Sequence, residues 1–92
     1  MAHTSVKIPA PLRPFADGSP VVDLEGSTVG SVLRDLGERF PPLRRHLLTS
    51  TGELRNFVTL YLNEQDVRYL QRGETALKDG DVLTIVPAMA GG

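Results

Sequence analysis

The 92-residue chain contains no cysteine. This absence excludes disulfide bonds, thiolate catalysis, iron–sulfur clusters and cysteine-ligated zinc within the chain. Tryptophan is also absent, and no run of about 18 apolar residues predicts a membrane-spanning helix. A formal net charge of −1 predicts no general attraction to nucleic acid or to an anionic membrane surface. Any covalent chemistry of the chain must therefore use a group other than a thiol.

The length and the two ends of the chain predict one small domain with a short tail. A chain of 92 residues is long enough for one thin core. Residues 1–4 lack the charged and apolar regions of a signal peptide, so we expect a cytoplasmic protein. We predict a folded domain over residues 1–87 and a flexible tail over residues 88–92.

Apolar patterning predicts the strands. Alternation and short apolar runs bounded by turn residues predict strands over residues 5–8, 21–24, 57–63 and 82–87, with a short edge strand over 67–69. Pro9, Pro11 and Pro14, which follow the first strand, predict a stiffened loop rather than regular structure. The polar segments 63–66 and 78–81 predict tight turns, so their acidic residues are interpreted as turn residues rather than as metal ligands or acid–base catalysts.

One long helix follows the first two strands. Its apolar positions recur at helical spacing, and they are Val29, Val32, Leu33, Leu36 and Phe40. Ser27 and Thr28 are suitable N-cap residues, and the Pro41-Pro42 pair predicts the end of the helix. Leucines after this pair predict a further helical turn. A hairpin, a covering helix and further strands predict an α+β fold, the ubiquitin-like β-grasp, with a mixed sheet of four to five strands and one main helix across one face.

The printed sequence ends with Ala90-Gly91-Gly92. Two successive glycines offer no folding benefit, because glycine loses more conformational freedom on folding than any other residue. They do form a thin thread that can carry a carboxylate into a narrow active site. We therefore expect the carboxylate of Gly92 to be the reactive group, presented on a tail that includes Gly91 and Ala90.

Several segments of the chain resemble the ThiS/MoaD family of sulfur carriers. They are residues 63–68 and 77–92, with Ile8-Pro9 and Leu12-Arg13-Pro14 near the start. Within that family, the similarity points to the branch that serves cysteine biosynthesis. It extends from about residue 5 to the end, and its most specific part is Asp-Gly-Asp, a strand, proline and Ala-Gly-Gly in register.

The resemblance implies a role as a protein co-substrate rather than as an enzyme. An E1-like adenylyltransferase and sulfurtransferase would activate Gly92 with ATP, and a sulfur donor would convert the adenylate into a thiocarboxylate. In the cysteine branch, a PLP-dependent cysteine synthase takes the sulfur, and a zinc metallopeptidase of the JAMM type releases the product. The resemblance implies that the carrier itself binds no cofactor or metal, and a monomer suits a shuttling role.

Four side chains near the tail are predicted to contact partners. Phe57 and Tyr61 have the opposite parity from the expected core positions of their strand, while Val86 and Met89 flank Pro87. An apolar surface there would suit transient docking to several enzymes. The alternative is that another part of the chain covers these residues.

Other interpretations remain open at this point. The chain is also compatible with the small subunit of molybdopterin synthase, with a ubiquitin-like protein modifier, or with an interaction module whose tail is inert. Four arginines either form a basic patch for an acidic partner or lie on an ordinary solvated helix face, and they are Arg34, Arg39, Arg44 and Arg45. His3 and His46 are predicted to be surface residues rather than metal ligands.

Overall fold

A computed structural model describes residues 2–87. Its strands are β1 (Ala2–Lys7), β2 (Val21–Gly26), β3 (Val58–Leu62), β4 (Gln65–Asp66) and β5 (Asp81–Pro87). They form one mixed sheet in the order β2-β1-β5-β3-β4. β1 is antiparallel to β2 and parallel to β5, and β3 is antiparallel to both β5 and β4. The predicted α+β architecture of a β-grasp is confirmed.

Two α-helices follow the first hairpin, α1 (Val29–Arg39) and α2 (Pro41–Leu47). Thr28 caps α1 as predicted, because its Oγ1 accepts a hydrogen bond from the N–H of Ser31 at 3.2 Å, while the N–H of Thr28 donates to Ser31 Oγ at 3.2 Å. Pro41 begins α2 at a position where its missing N–H costs no helical hydrogen bond. Within residues 2–87, no helix has the length and apolarity needed to cross a membrane.

The core lies between the helices and one face of the sheet. The predicted apolar face of α1 is buried, except that Phe40 is only partly buried. On the sheet, the buried positions of β3 and β5 alternate with exposed or half-buried ones, as the period of a strand requires. The buried side chains of these two strands are Val58, Leu60, Leu62, Leu83 and Ile85.

Two local predictions are wrong. Residues 67–69 form a 3₁₀ helix (Val67–Tyr69) instead of an edge strand, and the edge strand is the preceding pair Gln65–Asp66. The cause is local, because the Asp66 carboxylate accepts the N–H of Arg68 at 2.8 Å and so caps a helical turn. The proline-rich loop likewise contains a 3₁₀ helix (Ala10–Ala16), in which Pro11 lies at the first turn. A third 3₁₀ helix spans Arg72–Glu74.

Candidate functional site

The sheet face opposite the core carries a small apolar surface beside the end of β5. Strand register sets its neighbours, with Val86 opposite Thr59 and Thr84 opposite Tyr61. Phe57 lies one residue before β3 and has the same parity as Thr59 and Tyr61. We call these five residues the tail-side face.

Among the described residues, those of the tail-side face are exposed or half-buried, so a partner protein can reach them. Phe57 is 50% exposed and Val86 is 43% exposed, while Tyr61 is half-buried. Large apolar side chains of this exposure, gathered on adjacent strands, are typical of a docking surface rather than of a core. The prediction that Phe57, Tyr61 and Val86 share one face therefore agrees with the strand register, and their contact with partners stays a prediction.

The last described residue, Pro87, lies opposite Val58 at the edge of this face. Phe57 thus lies next to the point where the described chain ends. The predicted reactive residue Gly92 lies outside the described residues, as do Ala90 and Gly91 of the predicted tail and the predicted contact residue Met89. What the structure does establish is that the strand leading to these residues runs through the centre of the sheet.

The start of β5 is held by side-chain hydrogen bonds to the backbone. Asn63 Oδ1 accepts the N–H of Val82 at 3.1 Å, and Asp81 Oδ2 accepts the N–H of Lys78 at 2.8 Å. Asp79 Oδ1 accepts the N–H of His3 at 2.8 Å. The interpretation of the 78–81 segment as a turn is confirmed, because the N–H of Asp81 donates to the carbonyl oxygen of Lys78 at 3.0 Å. β5 is therefore a well-anchored base for the residues that follow it.

An ion pair lies at the β4 edge of the tail-side face. Asp66, whose side chain is 9% exposed, is opposite Tyr61 and pairs with Arg68 at 2.7 Å between Oδ2 and NH2. Hydrogen bonds from the Arg68 side chain, and then from its backbone N–H, hold the pKa of the Asp66 carboxyl below its ordinary value. The same pairing raises the pKa of Arg68. The interpretation of Asp66 as a turn residue is wrong, because Asp66 lies in β4 and caps the 3₁₀ helix that follows.

The helix side of the molecule carries a groove of about 1070 Å³. Six arginines line it, and they are Arg34, Arg44, Arg45, Arg55, Arg68 and Arg72. We call it the arginine groove. Of the four arginines for which the sequence left a basic patch or a solvated helix face open, Arg34, Arg44 and Arg45 line this groove and Arg39 does not, while all four are exposed. Arg39 instead lines a shallow depression with Asp23, Glu25 and Asp35. Sequence spacing gives no signal for Arg55 or Arg72, because the fold brings them to the groove from separate segments.

The two histidines are surface residues, as predicted. His3 Nε2 lies 3.2 Å from Glu25 Oε1, with the His3 side chain 69% exposed. The ring of His46 packs against Phe15 at a centroid distance of 4.1 Å. Across residues 2–87, no group of three or more His, Asp or Glu side chains is arranged to hold a metal ion.

Comparison with known proteins assigns the chain to a family. The sequence model of the ThiS family matches residues 6–92, which include the Gly-Gly end. The chain belongs to the ThiS family. The resemblance seen in the sequence is therefore confirmed over nearly the whole chain.

The individual relatives include sulfur carrier proteins and an archaeal modifier protein. It is 40% identical over 92 residues to the sulfur carrier protein CysO of Mycobacterium tuberculosis, covering 98% of this chain and 99% of that protein. The crystal structure of the BexX/CysO complex of Amycolatopsis orientalis contains a chain that matches with a TM-score of 0.88 and 37% identity, covering 97% of this chain and 99% of that one. The solution structure of small archaeal modifier protein 1 from Methanosarcina acetivorans also matches with a TM-score of 0.88, at 34% identity, covering 100% of this chain and 98% of that one.

Proposed function

We propose that this ThiS-family chain is a sulfur carrier protein and that its sulfur serves cysteine biosynthesis. The observation that carries the proposal is the 40% identity to CysO along 98% of the chain. The tail-side face supports it independently, because exposed apolar side chains gather beside the strand that leads to Gly92. The proposed carrier acts in the cytoplasm as a monomer and as a co-substrate of other enzymes.

The proposed chemistry takes place on the carboxylate of Gly92. A carboxylate is a poor electrophile, so one of its oxygens attacks the α-phosphate of ATP in an E1-like enzyme, and pyrophosphate leaves. A sulfide equivalent then attacks the acyl carbon, and AMP leaves. The product is a thiocarboxylate, a soft nucleophile that a partner cavity protects from water. ATP belongs to the activating enzyme, and the carrier itself needs no cofactor.

In the proposed pathway the loaded carrier next meets a PLP-dependent cysteine synthase. The thiocarboxylate sulfur attacks an aminoacrylate held by that enzyme, and an acyl shift leaves cysteine joined to Gly92 through an amide. A zinc metallopeptidase of the JAMM type then hydrolyses this amide and regenerates the carrier. Gly91 and Gly92 allow this passage between enzymes, because no Cβ blocks a narrow channel.

Docking must supply the free energy for ordering the tail in each partner. Fixing the backbone of residues 88–92 costs about 1–2 kcal/mol per residue. We propose that Phe57, Tyr61, Val86 and Met89 contribute the compensating contacts. Burying apolar side chains on binding is worth about 25 cal/mol per Å², so even a small apolar surface is energetically relevant. A transient complex results, as a carrier with several partners requires.

The experiment that tests the proposal is intact-mass spectrometry with and without iodoacetamide. The chain is incubated with an E1-like activating enzyme, ATP and a sulfide source, beside a variant that lacks Gly92. Because the chain has no cysteine, a fast single adduct that disappears with Gly92 identifies a thiocarboxylate. Mass without alkylation is ambiguous, since exchange of oxygen for sulfur nearly equals methionine oxidation. The absence of any adduct would contradict the proposal.

A second candidate function is a ubiquitin-like modifier. The match to an archaeal modifier protein at a TM-score of 0.88 favours considering it, since the same activated carboxylate can react with a lysine amine. This function predicts covalent conjugates that survive denaturation and reduction and that disappear when Gly92 is deleted. Sulfur carriage alone predicts no such conjugates. For the molybdopterin synthase alternative, the distinguishing result is stable co-purification with a large catalytic subunit.

A further inference from the structure

The positive charge of the molecule is concentrated around one groove. Six of its ten Lys and Arg residues line the arginine groove, against two of its eleven Asp and Glu residues, Glu38 and Glu53. The chain as a whole has a formal charge of −1, so this local excess of cations is not a property of the composition. It results from how the fold distributes the charges.

Ion pairing within residues 2–87 does not neutralise this excess. Arg68 pairs with Asp66, but no carboxylate of the described chain lies within 4.0 Å of a guanidinium nitrogen of the other five. Arg34, Arg44, Arg45 and Arg72 are exposed. The side chain of Arg55 is held in place by a hydrogen bond from its Nε to the carbonyl oxygen of Arg45 at 2.8 Å.

Helix polarity explains only part of the arrangement. Arg44 and Arg45 lie in the last turn of α2, where cations interact favourably with the helix dipole. Arg34 lies in the middle of α1, and Arg55 and Arg72 come from other segments. Four separate parts of the chain thus contribute arginines to the same groove.

Two glycines of α1 allow two of these segments, those that carry Arg44 and Arg72, to pack close to α1. A Cβ on Gly37 would lie 3.0 Å from Cγ and Cδ of Arg44, and a Cβ on Gly30 would lie 3.0 Å from the carbonyl oxygen of Gly73. Glycine inside a helix costs about 1 kcal/mol relative to alanine, so two of them in one short helix are unfavourable by propensity. The close approach that they permit lays the stem of Arg44 across α1 and places Arg72 beside it.

We propose that the arginine groove is a second docking site and that its occupant is an acidic segment of a partner protein with an apolar side chain between its carboxylates. Charge complementarity identifies the carboxylates, since arginine binds them through two parallel hydrogen bonds. Leu48, Leu54 and Val58 also line the groove and provide apolar contacts for the central side chain. The site is separate from the tail-side face. Binding of an acidic segment there does not depend on whether Gly92 carries sulfur.

The distribution of residues favours a peptide over other anions. The arginines come from four segments around the groove, which suits a ligand with several spaced charges better than a single phosphate. Phe, Tyr and Trp are absent from the described residues that line the groove, so single-stranded nucleic acid would find no stacking platform. Acidic side chains around Arg39 would repel a long polyanion that extended past the groove.

The test is an NMR titration of the full ¹⁵N-labelled chain with a short synthetic peptide of glutamates on both sides of one leucine. We expect amide shifts at the groove and weaker binding at higher salt. The matched variants are Arg34→Gln and Arg39→Gln, since both residues are exposed arginines of α1 and only Arg34 lines the groove. Loss of one exposed ion pair weakens binding about two- to fivefold. That loss is expected for Arg34→Gln only, with an unchanged affinity for Arg39→Gln.

Several outcomes would overturn the proposal. Equal losses in both variants, or shifts at the tail-side face, would show that the peptide senses only overall charge or another surface. Tighter binding of a single-stranded DNA of equal charge would assign the groove to nucleic acid, and equal binding of inorganic phosphate would assign it to small anions. Groove shifts on dilution without peptide would indicate that a second copy of the chain occupies the groove. Groove shifts on deleting Gly91 and Gly92 would indicate that the chain's own C-terminal end occupies the groove.

Discussion

The two faces of the β3–β5 pair have the same backbone and opposite exposure to solvent. On one face, Leu60 and Ile85 are 1% and 2% exposed and pack into the core. On the other face, Phe57 and Val86 are 50% and 43% exposed, beside the end of β5. The comparison teaches that stability and recognition can be divided between alternate residues of the same strands. Substitutions on the two faces should therefore change different measurements.

The largest effect is expected on the core face. Leu60→Ala removes a buried side chain and leaves a cavity, which costs about 2–5 kcal/mol of unfolding free energy. The neighbouring substitution Thr59→Ala lies on the tail-side face and should cost less than about 1 kcal/mol. Urea denaturation of both variants measures the difference. Similar losses would show that the two faces are not separate in their contribution to stability.

The next effect is expected on recognition. Phe57→Ala should leave the unfolding free energy within about 0.5 kcal/mol of the parent. We expect the kcat/KM of sulfur loading by the activating enzyme to fall about tenfold, the equivalent of about 1.4 kcal/mol of lost contact. Tyr69→Ala is the matched control, because Tyr69 is an aromatic residue that is 84% exposed and lies outside the tail-side face. A loss of the same size in Tyr69→Ala would exclude a specific role for this face.

A smaller effect of the same kind is expected for Val86. Val86→Ala removes two methyl groups from the tail-side face, and we expect kcat/KM for sulfur loading to fall about threefold. Val21→Ala makes the same chemical change at a residue of similar exposure, 45%, on the distant strand β2. The pair therefore separates position from hydrophobicity. Unequal effects, with the greater at Val86, would place the contact beside the end of β5.

The smallest effect concerns the acidic edge of the tail-side face. Because pairing with Arg68 lowers the pKa of Asp66 in the folded state, the carboxylate stabilises the fold above its ordinary pKa. This contribution is lost as the pH falls through the lowered value. Asp66→Asn should therefore be less stable than the parent at neutral pH, and the difference should shrink below about pH 4. Thermal unfolding of both proteins from neutral pH to about pH 3 measures this, and a stability difference that does not change with pH would contradict it.

The elements that the sequence predicts well are those whose pattern reports burial directly. The helical spacing of Val32 and Leu36 and the alternation of Leu60 with Tyr61 reflect the two environments that these residues occupy. Residues 67–69 were wrongly predicted because a side-chain cap from Asp66 outweighs the strand propensity of Val67 and Tyr69. Local hydrogen bonds of this kind leave no periodic signal.

The two candidate surfaces also differ in how far the sequence predicts them. Phe57, Tyr61 and Val86 were predicted from parity, because two adjacent strands carry them in register. The arginine groove depends on side chains as distant in sequence as Arg34 and Arg72, and on glycines that permit close packing. Only the fold brings those residues together, so the sequence could offer a basic patch only as one of two alternatives and could not separate Arg39 from the arginines that line the groove.

The most direct test of sulfur carriage is the position of the sulfur within the chain. The chain is loaded with the activating enzyme, ATP and sulfide, alkylated with iodoacetamide, and fragmented in a tandem mass spectrometer. We predict that the alkyl group is found on the fragment that ends in Gly92 and on no other fragment. Alkylation confined to a methionine or histidine, with an unmodified Gly92, would contradict sulfur carriage on the C-terminal carboxylate.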